Sequence, residues 1–242
     1  MIFGMCGRFT AKNPNLIKKR FEEFDLHGPS MPARYNIGPA QLLFVISINE
    51  QGKPGAKEMK WGLVPFWDKS EKPRIAPINA KSEEVLTKRV FSQPLQKRRC
   101  LVPADGFYEW KKLRGELKEP HHIQLKNGEP FFFAGVYERG GDERPDTFAM
   151  LTTAANDLMK GIHVRMPVIL YGEMAHAWLG SGPISQEELS RLSAPYPATE
   201  MEEWAVGEAV GNVKNEGPEL VVPVVAGAMI AERASGEQLS LL

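Results

Sequence analysis

The chain has 242 residues, 43% of them apolar, and its 30 basic residues balance 30 acidic ones to a formal net charge of zero. That is ample for a globular core and excludes a protein that coats nucleic acid by bulk attraction, so any nucleic-acid binding has to come from a local patch. No apolar run approaches the ~18 residues of a membrane span, and residues 1–5 lack the charged start of a signal peptide, so a cytoplasmic protein is expected.

Along the chain, the first predicted helix covers 15–23, where Leu16, Ile17, Phe21 and Phe24 recur at helical spacing, and a strand follows at 42–48. A helix is expected over 83–91, after a cap at Ser82. Strands are then expected at 100–102, 122–125, 130–136, 147–152 and 166–170, with Phe131 to Phe133 as strand core. A short helix at 173–179 precedes Ser185-Gln186-Glu187-Glu188, a capping box that opens a helix to about Leu192, and a last strand is expected at 219–225. Residues 112–120 and 139–146, charged and rich in Gly or Pro, read as hairpin loops and not as linkers. The sum is α+β with strands dominant: one domain over 6–225, then a mobile tail over 226–242.

Two cysteines, Cys6 and Cys100, fit neither a disulfide framework nor a Cys-x-x-Cys metal site. Cys6 heads Met5-Cys6-Gly7-Arg8-Phe9-Thr10. If its nitrogen is freed, it becomes a 1,2-aminothiol, which traps an aldehyde as a five-membered thiazolidine: the amine forms an imine and the thiol closes on it. Read alone, Cys6 is as well explained as buried filler, and His163 as a hydrogen-bonded core or surface residue. Glu109, between Tyr108 and Trp110, alternates as a solvent-facing strand residue does, and Asn79 before Ala80 fits a turn. His27, His121, His122 and His176 read as ordinary core or surface histidines.

Five ordered segments change that reading: the Cys6 block; Arg34-Tyr35-Asn36-Ile37-Gly38-Pro39; Trp61-Gly62-Leu63-Val64-Pro65-Phe66-Trp67; Ile78-Asn79-Ala80-Lys81-Ser82-Glu83; and Arg99-Cys100-Leu101-Val102-Pro103-Ala104-Asp105-Gly106-Phe107-Tyr108-Glu109-Trp110. Ile162-His163-Val164-Arg165-Met166-Pro167 and Lys214-Asn215-Glu216-Gly217-Pro218-Glu219 continue the series to about Pro223. In this order they closely resemble the SOS-response-associated peptidase (SRAP) family, whose members shield abasic sites in single-stranded DNA. The resemblance implies strand-dominated, open barrel-like sheets with peripheral helices. It also implies a reversible thiazolidine crosslink formed by Cys6, with Glu109 protonating the sugar ring oxygen and shuttling protons at the imine, His163 assisting from the other side, and Asn79 fixing the amine. Arg8, Lys81 and Arg165 are then expected to grip phosphates, with Asn36 and Pro39 of the second block and the rings of Trp61 and Trp67 also at the DNA; core packing is the ordinary alternative for one of the two rings. Lys97, Arg98 and Arg99 form a second basic run that also reads as solvated surface. Arg8 is expected to favour the neutral amine and lower the Cys6 thiol pKa. The family position of Lys81 is commonly Arg, so the bidentate fork is lost here.

Family members begin Met-Cys, whereas residues 1–4 precede Met5 here. Either translation starts at Met5, the favoured reading, or a precursor cuts itself before Cys6. The end of the chain, Gln238, Leu239, Ser240, Leu241 and Leu242, looks like a peptide that inserts into the groove of a bacterial replication sliding clamp. No cofactor, metal or oligomer is expected. Two functions compete with lesion capture: a thiol peptidase with Cys6 as nucleophile and His163 as base, and a non-covalent single-strand binding module.

Overall fold

A computed structural model describes residues 6–115, 117–141, 144–180 and 182–225. Along them run β1 (Arg8–Ala11), α1 (Pro14–Glu22), β2 (Arg34–Ile37), β3 (Leu42–Ile48), β4 (Pro54–Trp61), β5 (Asn79–Lys81), α2 (Arg89–Lys97), β6 (Arg99–Ala104), β7 (Gly106–Lys112), β8 (Lys118–Leu125), β9 (Phe131–Glu138), β10 (Thr147–Ala154), β11 (Arg165–Pro167), β12 (Ile169–Leu170), α3 (Glu173–Leu179), α4 (Gln186–Leu192) and β13 (Met201–Ala205). This is the α+β, strand-dominated class expected. No helix among the described residues is long and apolar enough to cross a membrane.

Two sheets carry the fold. The smaller has the order β13-β8-β7-β1-β2, antiparallel throughout. In the larger, β10, β4, β3, β6 and β9 pair in turn, and β9 pairs back onto β10, so the barrel-like ring is closed. Its hub is β9, whose Phe-Phe-Phe-Ala-Gly-Val-Tyr-Glu run is buried at every position, as a strand covered on both faces requires. Gly135 in that run sits so close to β6 that an added Cβ would lie 2.8 Å from Cys100 Sγ. Phe9 of β1 meets Phe133 and Trp61 edge to face, with ring centroids 5.5 and 5.4 Å away, and so fastens the smaller sheet to the barrel.

The helices stand on local signals. The Asn13 side chain caps α1 by accepting from Leu16 N–H at 3.2 Å, and Ser185 caps α4 by accepting from Glu188 N–H at 3.1 Å. The helix expected over 83–91 is displaced. Residues 82–87 are turns instead, because Ser82 N–H is held by Thr152 O at 2.9 Å and the two glutamates that follow are drawn to Arg165, Lys81 and Lys88. The helix starts at Arg89, where Phe91, Pro94 and Leu95 supply a buried stripe. Nor do residues 219–225 form a strand: Pro218–Val221 is a 3₁₀ turn, and Pro223, having no N–H to give a ladder, makes one bridge with Val206.

Beneath β1 lies a buried polar trio. Thr10 Oγ1 donates to Asp105 Oδ1 at 2.7 Å, leaving its lone pairs to the His122 Nε2 at 3.4 Å. Burial, helped by the charge of Lys12, pushes His122 well below the ordinary histidine range. A histidine neutral in the fold but protonated in the unfolded chain contributes stability above about pH 6.5, and that stability is lost as the pH falls from there toward the folded value. Denaturant titrations should therefore show stability falling more steeply below about pH 6.5 in the native chain than in His122→Gln.

Candidate active site

Antiparallel pairing of β1 with β7 sets Arg8 opposite Tyr108, which brings the residues just before Arg8 alongside Glu109. There Cys6 N–H donates to Glu109 Oε1 at 2.5 Å, and Glu109 Oε2 accepts from Trp110 N–H at 3.3 Å. Both residues are buried, Cys6 at 2% and Glu109 at 4% exposure, so Glu109 is not the solvent-facing strand residue its alternation suggests. Cys6 holds a left-handed φ of 48°, sparsely populated by residues with a Cβ.

The Cys6 thiol departs from expectation. Burial pushes its pKa well above the ordinary range; the charge of Glu109 and a hydrogen bond to it push the same way, and Arg165 alone opposes them. The cation acting on the thiol is thus Arg165, not Arg8. The Arg8 guanidinium turns to Gly7 O at 3.1 Å and Gly211 O at 3.4 Å and is itself buried.

The other residues expected in the site lie on and beside the strands of the barrel, and of these Arg165 acts on the Cys6 thiol. Both β5 and β11 pair with β10, placing Asn79 beside Met150, Lys81 beside Thr152 and Arg165 beside Ala154. Asn79 is therefore a strand residue and not a turn. His163 Nδ1 accepts from Arg165 N–H at 3.0 Å, which leaves the ring proton to Nε2. Arg165 forks onto Glu83 at 2.6 and 2.8 Å and donates to Thr152 O at 2.6 Å, so a phosphate has to compete with Glu83 for it. Lys81 is exposed, 3.2 Å from Glu84.

Several residues expected at the DNA serve the fold instead. Asn36 is wholly buried and its amide donates to the carbonyls of Val210, Asn212 and Asn215. Pro39 is partly exposed in the turn after β2. Arg99 is no solvated cation: its guanidinium collects the carbonyls of Leu95, Trp178, Gly180 and Gly182 at the ends of α2 and α3, while Arg98 pairs with Glu138 at 2.9 Å and Lys97 is exposed. Trp61 is a core residue, stacked on Phe148 at 6.4 Å with its Nε1–H given to Ile78 O. Trp67 is open to solvent beside exposed Phe66, with Arg89 4.6 Å over its ring. The two tryptophans should separate cleanly. Trp61→Ala should cost about 3–5 kcal/mol of stability in denaturant titrations, whereas Trp67→Ala should leave stability nearly unchanged and weaken single-strand binding by about 1–3 kcal/mol in fluorescence anisotropy.

Sequence reading overlooked Phe66, Arg89, Glu83 and Glu216. The first was legible as an aromatic next to Trp67. Glu216 accepts from Tyr35 N–H and pairs with Arg34 at 3.1 Å, tying the last motif to the second. The possible clamp peptide, Gln238 to Leu242, lies outside the described residues.

With this geometry in view, comparison with known proteins is decisive. The family model "SOS response associated peptidase (SRAP)" matches residues 5–213. The chain belongs to the SRAP family. Among its SRAP relatives, the abasic site processing protein YoqW of Bacillus subtilis is 39% identical over 223 residues, covering 90% of this chain and 99% of YoqW. The abasic site processing protein YedK of Escherichia coli is 34% identical over 231 residues, covering 91% and 100%. A crystal structure of a protein from Bacteroides thetaiotaomicron superposes with a TM-score of 0.76 at 24% identity, covering 91% of this chain and 100% of that one, and so shares the SRAP fold.

Proposed function

We propose that this protein processes abasic sites in single-stranded DNA and shields them by a reversible thiazolidine crosslink through Cys6. The observation that carries the proposal is the Glu109 carboxylate set against the Cys6 nitrogen at 2.5 Å, with the thiol bonded to the same group. The names of YoqW and YedK supply the substrate.

Three steps follow from one carboxylate. While an acyl group occupies the Cys6 nitrogen, Glu109 is placed to carry a proton from the attacking water to that nitrogen as the Met5–Cys6 amide is hydrolysed, the water oxygen going to the Met5 carbonyl carbon, which leaves a carboxyl group on Met5 and a free amine on Cys6. The amine then attacks the C1 aldehyde of the opened deoxyribose, and one water leaves as the imine forms. Last, sulfur bonds to the imine carbon while the thiol proton, taken by Glu109, is returned to nitrogen; reversal runs the same path. Asn79 and His163 are assigned to the amine and to proton transfer at the sugar. Arg165 and Lys81 are assigned to flanking phosphates and Trp67 to a flanking base. A ring without an imine gives β-elimination no electron sink, so the strand stays whole.

A general thiol peptidase is the weaker alternative, because a buried thiol held up by a carboxylate carries little standing thiolate. A cytoplasmic monomer whose tail engages a sliding clamp completes the proposal. Incubation with a single-stranded oligonucleotide bearing one abasic site should give a denaturation-resistant species heavier than the protein by the oligonucleotide less one water. Failure to form it with protein whose mass shows Cys6 as the first residue would refute the reading.

A further inference from the structure

The two cations assigned to flanking phosphates are already engaged by carboxylates of this chain, and those carboxylates are neighbours on one turn. Arg165 gives Nη1–H to Glu83 Oε1 at 2.6 Å and Nη2–H to Glu83 Oε2 at 2.8 Å, and Lys81 lies 3.2 Å from Glu84. The two pairs differ in kind. Lys81 is exposed and shares Glu84 with Lys88, so solvent screens it. The Arg165 side chain is only 13% exposed, and its parallel pair of hydrogen bonds has the geometry with which a guanidinium takes a phosphate.

This fork is set by the sheet. β10 pairs with β5 on one side and β11 on the other, so Thr152 stands beside both Lys81 and Pro167. Its carbonyl oxygen accepts from Ser82 N–H at 2.9 Å and from Arg165 Nη2–H at 2.6 Å, so the turn that carries Glu83 and the guanidinium it meets hang from one atom. Hydrogen bonding to Arg165 holds the Glu83 carboxyl below the usual carboxylate range, which keeps it charged at neutral pH. Nη2 spends its hydrogens on Glu83 and Thr152, so while Glu83 is in place no pair of terminal N–H groups remains for a phosphate.

We propose that Glu83 is a specificity-determining residue that occupies the Arg165 fork as an internal phosphate mimic and so holds down the affinity for intact single strands. The inference rests on the proposed assignment of Arg165 to a flanking phosphate. A strand that docks has to exchange its phosphate for the Glu83 carboxylate, a swap of like for like that gains little. A chain of zero net charge offers no bulk attraction to make up the difference. Undamaged strands therefore leave, and a strand is retained where its aldehyde closes on Cys6.

The test is equilibrium binding of the full chain to an intact single-stranded oligonucleotide, read by fluorescence anisotropy at about 0.05 M salt. Glu83 is 53% exposed, so Glu83→Gln should fold, and it should bind roughly three- to tenfold tighter, the worth of a well-formed, partly buried ion pair. A purely structural role, in which Glu83 shapes the turn or aims Arg165, predicts weaker binding. Unchanged or weaker binding overturns the proposal. Losing any negative charge favours DNA, so the fork is isolated by a double-mutant cycle: in an Arg165→Gln background the gain from Glu83→Gln should vanish. An equal gain there assigns the effect to bulk charge and overturns the proposal. If Arg165→Gln does not fold, Glu83→Asp decides, because it keeps the charge but draws it back from the fork by one methylene. Tighter binding by Glu83→Asp supports the mimic, and native affinity overturns it. Arg165→Gln alone separates the two readings. If it binds as tightly as the native chain, Arg165 meets no phosphate and the assignment beneath the inference fails; if it binds more weakly while Glu83→Gln gains nothing, the Glu83 inference alone fails.

Discussion

Replacing Cys6 with serine should remove the denaturation-resistant DNA species altogether, a drop of at least about 100-fold in crosslink yield. Serine keeps the amine and therefore the imine, but its oxygen closes the ring far less favourably than sulfur. Two measurements separate this from misfolding. Borohydride reduction should still trap an imine on Cys6→Ser, because the nitrogen is unchanged, and salt-sensitive binding to intact single strand should match the native protein, because Arg165 and Lys81, the residues assigned to phosphates, are untouched. A native crosslink yield from Cys6→Ser would remove the thiazolidine from the mechanism.

Glu109→Gln should slow crosslinking by roughly 10²–10⁴-fold, the usual loss when a positioned proton carrier is removed. The amide still accepts from the Cys6 nitrogen, so the geometry persists while proton transfer does not. The same variant carries a sign that can be checked. Glu109 and burial together hold the Cys6 thiol up, so Glu109→Gln should let the thiolate appear at lower pH, and Arg165→Ala, which removes the opposing cation, should make it appear at higher pH. Ultraviolet absorbance of the thiolate against pH reads both shifts, in a Cys100→Ser background that removes the second thiol. Cys100 is itself pushed up by burial alone and packs against Gly135.

Most long apolar elements were legible from pattern. Expected strands at 42–48, 130–136 and 147–152 appear as β3, β9 and β10, because runs buried on one or both faces leave a plain hydrophobic signal. Two strands that neighbour or carry expected site residues did not announce themselves. β4 is Pro-Gly-Ala-Lys-Glu-Met-Lys-Trp, with only Met59 and Trp61 buried, and β5 is three residues long; neither has enough apolar residues to show a period. Glu109 was misread without context for a similar reason: a charge between aromatics has the same alternation whether its face meets water or, as here, the Cys6 nitrogen. Nor could spacing distinguish Trp61 from Trp67, or Arg99 from Arg98, since burial of an indole or a guanidinium depends on which carbonyls and rings the tertiary fold brings to it. Motif order disclosed the family; which cation reaches the thiol was a matter of geometry.

The positive φ at Cys6 has a consequence of its own. That torsion is measured against the carbonyl carbon of the preceding residue, so it exists only while the nitrogen is acylated. An L-residue in this region carries roughly 1–2 kcal/mol of steric cost, and hydrolysis does not rearrange that cost but erases the coordinate in which it is stored. If the proposed hydrolysis before Cys6 takes place, it releases that tension at the very atom it liberates, and re-ligation would have to restore it, a small ratchet wound into the backbone.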